Sequence, residues 1–241
     1  MNAYQGVFKR YEKKYLLTSE QQERLMRAFQ GRFQTDSYGQ HTICNIYFDT
    51  EDFNLIRTSI QKPVYKEKLR LRSYGTPDDG DTVYLELKKK FKGVVYKRRI
   101  ALPLFEAQRY LTTGAPPSRQ DQILREIDWF MGQYHPVPKA YIAYDRVAMF
   151  GTEDSELRVT FDTSIRCRAS MLDLQKGTWG TPLLPPDAVL MELKIPGVMP
   201  LWLSHTLSQH EIFPASYSKY GTYYQNHLMH LPHTKGELLH A

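Results

Sequence analysis

The chain has 241 residues, 41% hydrophobic and 24% charged, and its 32 Lys and Arg outnumber 26 Asp and Glu to give a formal net charge of +6. That is the balance of a folded protein with a substantial core, which excludes a low-complexity or disordered chain. No apolar run approaches the length of a bilayer span, no charged-then-apolar leader opens the chain, and two cysteines, Cys44 and Cys167, are too few for a disulfide framework. The expectation is a cytoplasmic protein with an anionic partner; RNA, DNA, acidic lipid and polyphosphate are all open on charge alone.

In chain order, strand-like alternation first covers residues 7–17. Thr18 and Gln21 then form a capping-box pattern that opens a helix, with Leu25, Phe29 and Phe33 on one face. Further alternation predicts strands over 42–49, 65–74, 82–90, 94–102, 139–150, 156–168 and 188–195. Turn chemistry separates several of them, at 75–80, 91–93 and 151–154. Ser118 and Asp121 open a second helix with Ile123, Leu124, Ile127, Phe130 and Met131 as its apolar stripe. Helices also follow over 200–207 and from Ser218 to about Leu228, and residues 169–187 read as a long excursion between strands. No linker or composition break divides the chain. One α+β domain over 1–241 is expected, with a core at about 5–228 and a short C-terminal tail.

Lys68, Arg70 and Arg72 alternate with Leu69 and Leu71, so one strand face is cationic and the other aliphatic. A single strand of this kind is an ordinary solvated sheet face, but the arrangement recurs. Glu86, Lys88 and Lys90 share a face against Leu85 and Leu87. Glu192 and Lys194 do the same against Met191, Leu193 and Ile195, so Glu-Leu-Lys occurs twice. Arg10, Glu12 and Lys14 line a face near the N-terminus; Lys97 pairs with Arg99, Arg158 with Thr160 and Asp162, and Arg146 ends another run. About eight such strands would close into an antiparallel barrel with a charged lumen, its apolar outside covered by the helices. Enclosed cations repel, by roughly 4 kcal/mol for two charges 4 Å apart at an effective dielectric near 20, so such a lumen requires a dense linear polyanion. Duplex nucleic acid is too wide for it, and no aromatic platform lines a basic groove for single strands. The glycine loops GxxxxGK[ST] and GxGxxG are absent, as are HExxH, GxSxG and CxxC, so phosphate would be held by side chains.

Lys13-Lys-Tyr15, Ile46-Tyr-Phe-Asp49, Leu69-Arg-Leu-Arg-Ser-Tyr-Gly75, Leu85-Glu-Leu-Lys88, Tyr144-Asp-Arg146, Leu157-Arg-Val-Thr-Phe-Asp162, Val189-Leu-Met-Glu-Leu-Lys194 and Tyr217-Ser-Lys-Tyr220 occur in that order. Together they resemble the VTC (vacuolar transporter chaperone) polyphosphate polymerase domain, of the triphosphate tunnel metalloenzymes. The resemblance implies a closed eight-stranded tunnel barrel flanked by helices, which transfers the γ-phosphoryl group of ATP to a growing polyphosphate chain with Mn²⁺ or Mg²⁺. It implies catalytic roles for Arg70, Arg72, Lys88, Arg146 and Arg158, and phosphate binding by Lys14, Lys90, Lys97, Arg99, Lys194 and Lys219. Lys219 would add a helix N-terminus to the anion site. Glu192 would hold the metal, with Glu86 and Glu12 as secondary candidates. Hydrolytic relatives open with ExExK, whereas this chain has Arg10-Tyr-Glu-Lys-Lys14, which weakens the case for a second metal. The sequence shows neither the phosphate-sensing domain nor the membrane helices of eukaryotic members, which leaves a membrane-protein partner open. A tripolyphosphatase or nucleoside triphosphatase, and a non-catalytic polyphosphate or nucleotide sensor, remain as alternatives. Asp49 and Asp162 are expected to orient arginines, Tyr220, Tyr223 and Tyr224 to pack, and His227, His230 and His233 to form no specific site.

Overall fold

The computed structural model describes residues 10–92, 94–117 and 121–230. Ser118 of the expected second helix cap, Gly93 of a hairpin, His233, residues 5–9 and the side chain of Arg10 lie outside the described residues. The elements are β1 (Arg10–Thr18), α1 (Ser19–Ala28), β2 (Phe33–Asp49), α2 (Asn54–Ile60), β3 (Tyr65–Tyr74), β4 (Thr82–Phe91), β5 (Val94–Pro103), α3 (Leu104–Thr113), α4 (Gln122–Tyr134), β6 (Val137–Gly151), β7 (Arg158–Arg168), β8 (Thr181–Pro182), β9 (Ala188–Pro196), α5 (Leu201–Gln209) and α6 (Lys219–Tyr223). A 3₁₀ turn (Leu174–Lys176) precedes β8, and a π turn (Tyr224–Leu228) continues α6. No helix among the described residues is long and apolar enough to cross a membrane.

Hydrogen-bonded neighbours follow the order β1-β9-β7-β6-β2-β3-β4-β5, with β8 on β7. This is the large antiparallel sheet expected of the α+β class, but the path has two ends. Among the described residues β1 does not pair with β5, so the expected closed barrel is seen as an open sheet. Both terminal strands expose half or more of their described residues, as edges do. The chain forms two compact units, one of Met1–Cys44, Ala143–Arg166 and Trp179–Tyr217, the other of Asn45–Ile142, Cys167–Thr178 and Ser218–Ala241.

In the first unit the capping box forms as expected: Gln21 N–H donates to Thr18 Oγ1 and Thr18 N–H to Gln21 Oε1, both at 3.1 Å. Leu25 and Phe29 then meet Tyr15, Leu17, Val159, Phe161, Met191, Leu193 and Ile195 from the strands, and Leu203 and Leu207 from α5. Each large apolar side chain so buried contributes roughly 1.5–3 kcal/mol. Phe33 is not on the helix face expected for it. It opens β2, its ring 4.6 Å from that of Phe29. The connection after β6 is tight: a Cβ on Gly151 would fall 2.6 Å from Asp154 O, which only glycine avoids.

In the second unit Leu69, Leu71, Val83, Leu85, Leu87, Ile100 and Leu102 form one buried sheet face, and α3 and α4 bring Leu104, Ala107, Tyr110, Leu124, Ile127 and Phe130. Asp121 caps α4, its Oδ1 accepting from Leu124 N–H at 3.0 Å. The helices α2 and α3 carry no expectation from the sequence pattern. α2 is started by the side chain of Asp49, whose carboxylate accepts from Leu55 and Ile56 N–H at 2.9 and 3.0 Å. Part of the expected excursion at 169–187 is ordered by Arg168, which lies 3.4 Å over the Tyr141 ring and donates to the carbonyls of Met171, Asp173 and Gly177.

Candidate functional site: two cationic strand faces

The alternation read from the sequence places helices on one face of each strand group and charge on the other. In the second unit the register sets Lys66 opposite Lys90, Lys68 opposite Lys88, Arg70 opposite Glu86 and Arg72 opposite Tyr84. The next pairing sets Glu86 opposite Arg99 and Lys88 opposite Lys97. Directly opposed residues share a face, so Arg70-Glu86-Arg99 and Lys68-Lys88-Lys97 are rows across three strands. Glu86 is the only carboxylate that these three strands contribute to the face, and it is almost wholly buried.

Four cations converge on it. Arg70 Nε lies 2.6 Å away, Lys97 Nζ 3.1 Å, Arg72 Nε 3.7 Å and Arg99 Nε 3.8 Å. Burial pushes the Glu86 carboxyl up, but Arg70, Arg72 and Lys97 outweigh it and hold it at about 2. Partial burial lowers the Lys97 ammonium, opposed by Glu86 and assisted by Arg70 and Arg72. Lys66 is lowered as well, by burial and by Lys90, Lys62 and Lys88. This face carries cations beyond what its carboxylate balances, the condition in which ammonium groups begin to yield protons.

Three residues not assigned a role from the sequence hold the arginines in place. Asn45 Oδ1 accepts from Arg72 Nε at 2.9 Å, while Asn45 Nδ2 donates to Ile142 O at 3.1 Å. Tyr47 OH accepts from Arg70 NH1 at 3.2 Å, and Arg99 stacks 3.4 Å over the Tyr84 ring. The signal available was the polar series Asn45, Tyr47, Asp49 at every second position of one strand. Lys68 Nζ donates to Ser218 Oγ at 3.3 Å, whereas Lys88 and Lys90 are exposed. Lys219 is buried at the start of α6, but that helix has only five residues, too few to supply the expected N-terminal anion site. Asp49 orients no arginine here: its carboxylate takes Tyr220 OH at 2.9 Å beside the α2 amides. Tyr220 packs on Tyr47 and Tyr224 on Phe53, as expected of packing tyrosines.

In the first unit the registers set Lys14 opposite Glu192 and Glu12 opposite Lys194, then Lys194 opposite Arg158 and Glu192 opposite Thr160. Lys14 Nζ is 3.1 Å from Glu192 Oε1, 3.7 Å from Glu12 Oε1, and donates to Tyr217 O at 3.2 Å. Arg146 grips the fully buried Asp162 through two bonds of 2.6 and 2.8 Å, with Glu192 Oε2 at 3.9 Å. Burial lowers the Arg146 guanidinium, but Tyr144, Asp162 and Glu192 prevail and raise it. Asp162 thus does orient an arginine. Arg158 is exposed and turned to the preceding loop, donating to Ser155 O at 3.3 Å.

The two carboxylate sites differ as hosts for a divalent cation. Glu86 is ringed by three guanidinium groups and one ammonium, whose positive charge opposes a divalent cation there. Glu192 and Glu12 flank a single ammonium, Lys14, which marks where positive charge is stabilised between them. No cluster of three His, Cys, Asp or Glu occurs among the described residues. Two carboxylates suffice for Mg²⁺ or Mn²⁺ when substrate phosphates complete the shell, so this pair fits.

The fold has solved relatives. A putative adenylyl cyclase from Hippeastrum, described as having a dominant triphosphatase activity, matches with a TM-score of 0.55 and 17% identity, over 92% of this chain and 98% of that one. A putative adenylate cyclase from Bacillus halodurans matches with a TM-score of 0.54 and 15% identity, over 86% of this chain and 92% of that one. At such identities the likeness establishes the fold. No curated protein matches the sequence. The family described as VTC domain matches residues 9–227, and the chain belongs to that family.

Proposed function

We propose that the protein is a polyphosphate polymerase that moves the γ-phosphoryl group of ATP onto the end of a polyphosphate chain. The observation that carries this reading is that the four carboxylates of the cationic faces, Glu12, Glu86, Asp162 and Glu192, are each paired to lysine or arginine. A carboxylate so paired is a poor base for a water molecule. A terminal phosphate acceptor is already ionised and needs no base, so transfer to it depends on alignment and charge stabilisation. Arg70 and Arg72, held by Glu86, Tyr47 and Asn45, would fork phosphate oxygens in a way lysine cannot. Arg146, held by Asp162, serves the same end beside Glu192. Lys68, Lys88, Lys90, Lys97, Arg99, Lys14, Lys194 and Lys219 would carry the remaining phosphates, and Arg158 would join them by swinging from its loop contact. Glu192 and Glu12 would hold Mn²⁺ or Mg²⁺, which when bound supplies positive charge to the leaving diphosphate. The ligands in this reading are ATP and polyphosphate, not nucleic acid.

A triphosphatase is the second reading, favoured by the activity described for the Hippeastrum protein. The deciding experiment incubates the purified protein with ATP and Mn²⁺, with and without a short polyphosphate primer, and compares chain length on gels with phosphate release. Lengthening chains with little free phosphate are expected. Free phosphate without chains would establish the triphosphatase, and ATP or polyphosphate bound without turnover would establish a sensor.

A further inference from the structure

The second unit has an apolar surface that its helices do not cover. Val64, Tyr65, Phe91, Val94, Val95 and Tyr96 are between 37% and 64% exposed. The registers put Tyr65 opposite Phe91 and Phe91 opposite Val94, with Tyr96 opposite Lys89 on the same face, at one end of the three-stranded group; Val95, opposite Lys90, is exposed on the other face of the same end. The Tyr65 and Phe91 rings are 6.5 Å apart, and Lys92 N–H donates to Val64 O at 3.0 Å. The cover provided by α4 ends just short of this surface. Glu126 on that helix takes Lys89 at 3.1 Å and Arg98 at 3.3 Å, beyond which the aromatic and valine side chains face solvent.

Charge surrounds these residues. Positions 88–99 hold Lys88, Lys89, Lys90, Lys92, Lys97, Arg98 and Arg99 and no acidic residue. Lys62 and Lys92 are exposed, and the Lys92 ammonium lies 5.3 Å over the Phe91 ring. A second copy of this chain docked here would bring the same cations against them, and like charges in contact oppose association. An anionic bilayer offers the complementary order, negative headgroups above an apolar interior. Lysine stems reach across such a boundary with their ammonium groups in the headgroups, and tyrosine rings settle at the same level.

We propose that the tip of the β4–β5 hairpin, with Val64 and Tyr65 beside it, docks on a membrane surface rich in anionic lipid. The inference is independent of whether the protein polymerises or hydrolyses phosphate. The test floats the full chain with vesicles of phosphatidylcholine alone and of phosphatidylcholine mixed with phosphatidylserine, with tripolyphosphate present to occupy the cationic strand faces. Binding to the mixed vesicles only, undiminished by tripolyphosphate, is expected. The variant Phe91→Ser/Val94→Ser/Tyr96→Ser should lose at least about tenfold in vesicle partition. A second variant, Lys62→Glu/Lys92→Glu, should lose about fivefold or more for each lysine reversed. Both variants should keep the wild-type circular dichroism and ATP turnover. Wild-type binding by both variants, or binding that tripolyphosphate abolishes, would overturn the proposal. So would a wild-type protein that ignores the vesicles but self-associates through the same apolar residues.

Discussion

Glu86 and Glu192 sit in the same tripeptide, Glu-Leu-Lys, in the middle of a strand, yet their surroundings give them different work. Glu86 is buried under four cations, so its charge is spent on holding Arg70, Arg72, Lys97 and Arg99. Glu192 is partly open and touches Lys14 and Arg146, with Glu12 on the far side of Lys14. The local sequence is alike; what differs is the register of the neighbouring strands, which brings three arginines and a lysine to one glutamate and a Glu-x-Lys strand to the other. Glu86 therefore reads as the keystone of a cationic face, and Glu192 as the more open of the two carboxylates.

The largest expected effect breaks the first half of that contrast. Glu86→Gln removes one buried partner of several cations, which costs roughly 3–5 kcal/mol of folding stability. Added tripolyphosphate should recover more thermal stability in this variant than in the wild type, because the anion replaces the missing charge. An unchanged melting temperature would show that Glu86 does not hold the face together. The same residue sets a pH dependence. Its carboxyl is lowered from 4.5 to about 2 on folding, so the unfolded chain takes up the proton first. Its stabilisation is complete above about 4.5, declines as pH falls toward 2, and amounts to about 3 kcal/mol. Glu86→Gln should remove that part of the acid limb in denaturant titrations.

The second half is sharpened by Glu192→Gln. Turnover with Mn²⁺ should fall about a hundredfold while the fold is kept, since Lys14 retains Glu12 and the Tyr217 carbonyl. Wild-type turnover in this variant would remove Glu192 from metal binding. Next in size is Arg146→Lys, which exchanges the two-pronged grip on buried Asp162 for a single contact. A loss of roughly 2 kcal/mol is expected in urea unfolding, with a weaker affinity for tripolyphosphate by calorimetry.

The sequence carried the strands and the cationic rows because alternation of Lys or Arg with Leu is a property of each strand by itself. The capping box at Thr18 and Gln21 was equally local. The first half of β2 was not legible, since the polar run from Gln34 to His41 does not alternate. Nor was α2, whose first turn is nucleated by the side chain of Asp49 from the strand before it. α3 begins after Pro103 with no side-chain cap, and its buried residues Leu104, Ala107 and Tyr110 make only a short stripe. The candidate site divides in the same way. That Glu86 and Glu192 belong to charged faces is written in their strands, whereas the number of cations meeting each depends on register, and the outward turn of Arg158 depends on a loop carbonyl.

A third carboxylate in the second unit provides a control for the first. Asp49 is as buried as Glu86 but receives no cation; three backbone N–H groups and the Tyr220 hydroxyl surround it. Burial raises its carboxyl, and those four donors only partly offset the rise. Its contribution to stability has the opposite sense to that of Glu86 and grows as pH falls through the raised value. Tyr220→Phe deletes one donor, keeps the stacked ring on Tyr47, and should cost about 1 kcal/mol. It should also move Asp49 further up, visible as a later deprotonation when the side-chain carbon is followed by nuclear magnetic resonance. If Asp49 instead titrates unchanged, the backbone amides at the head of α2 alone determine its charge, and burial without cations is less costly here than the contrast with Glu86 implies.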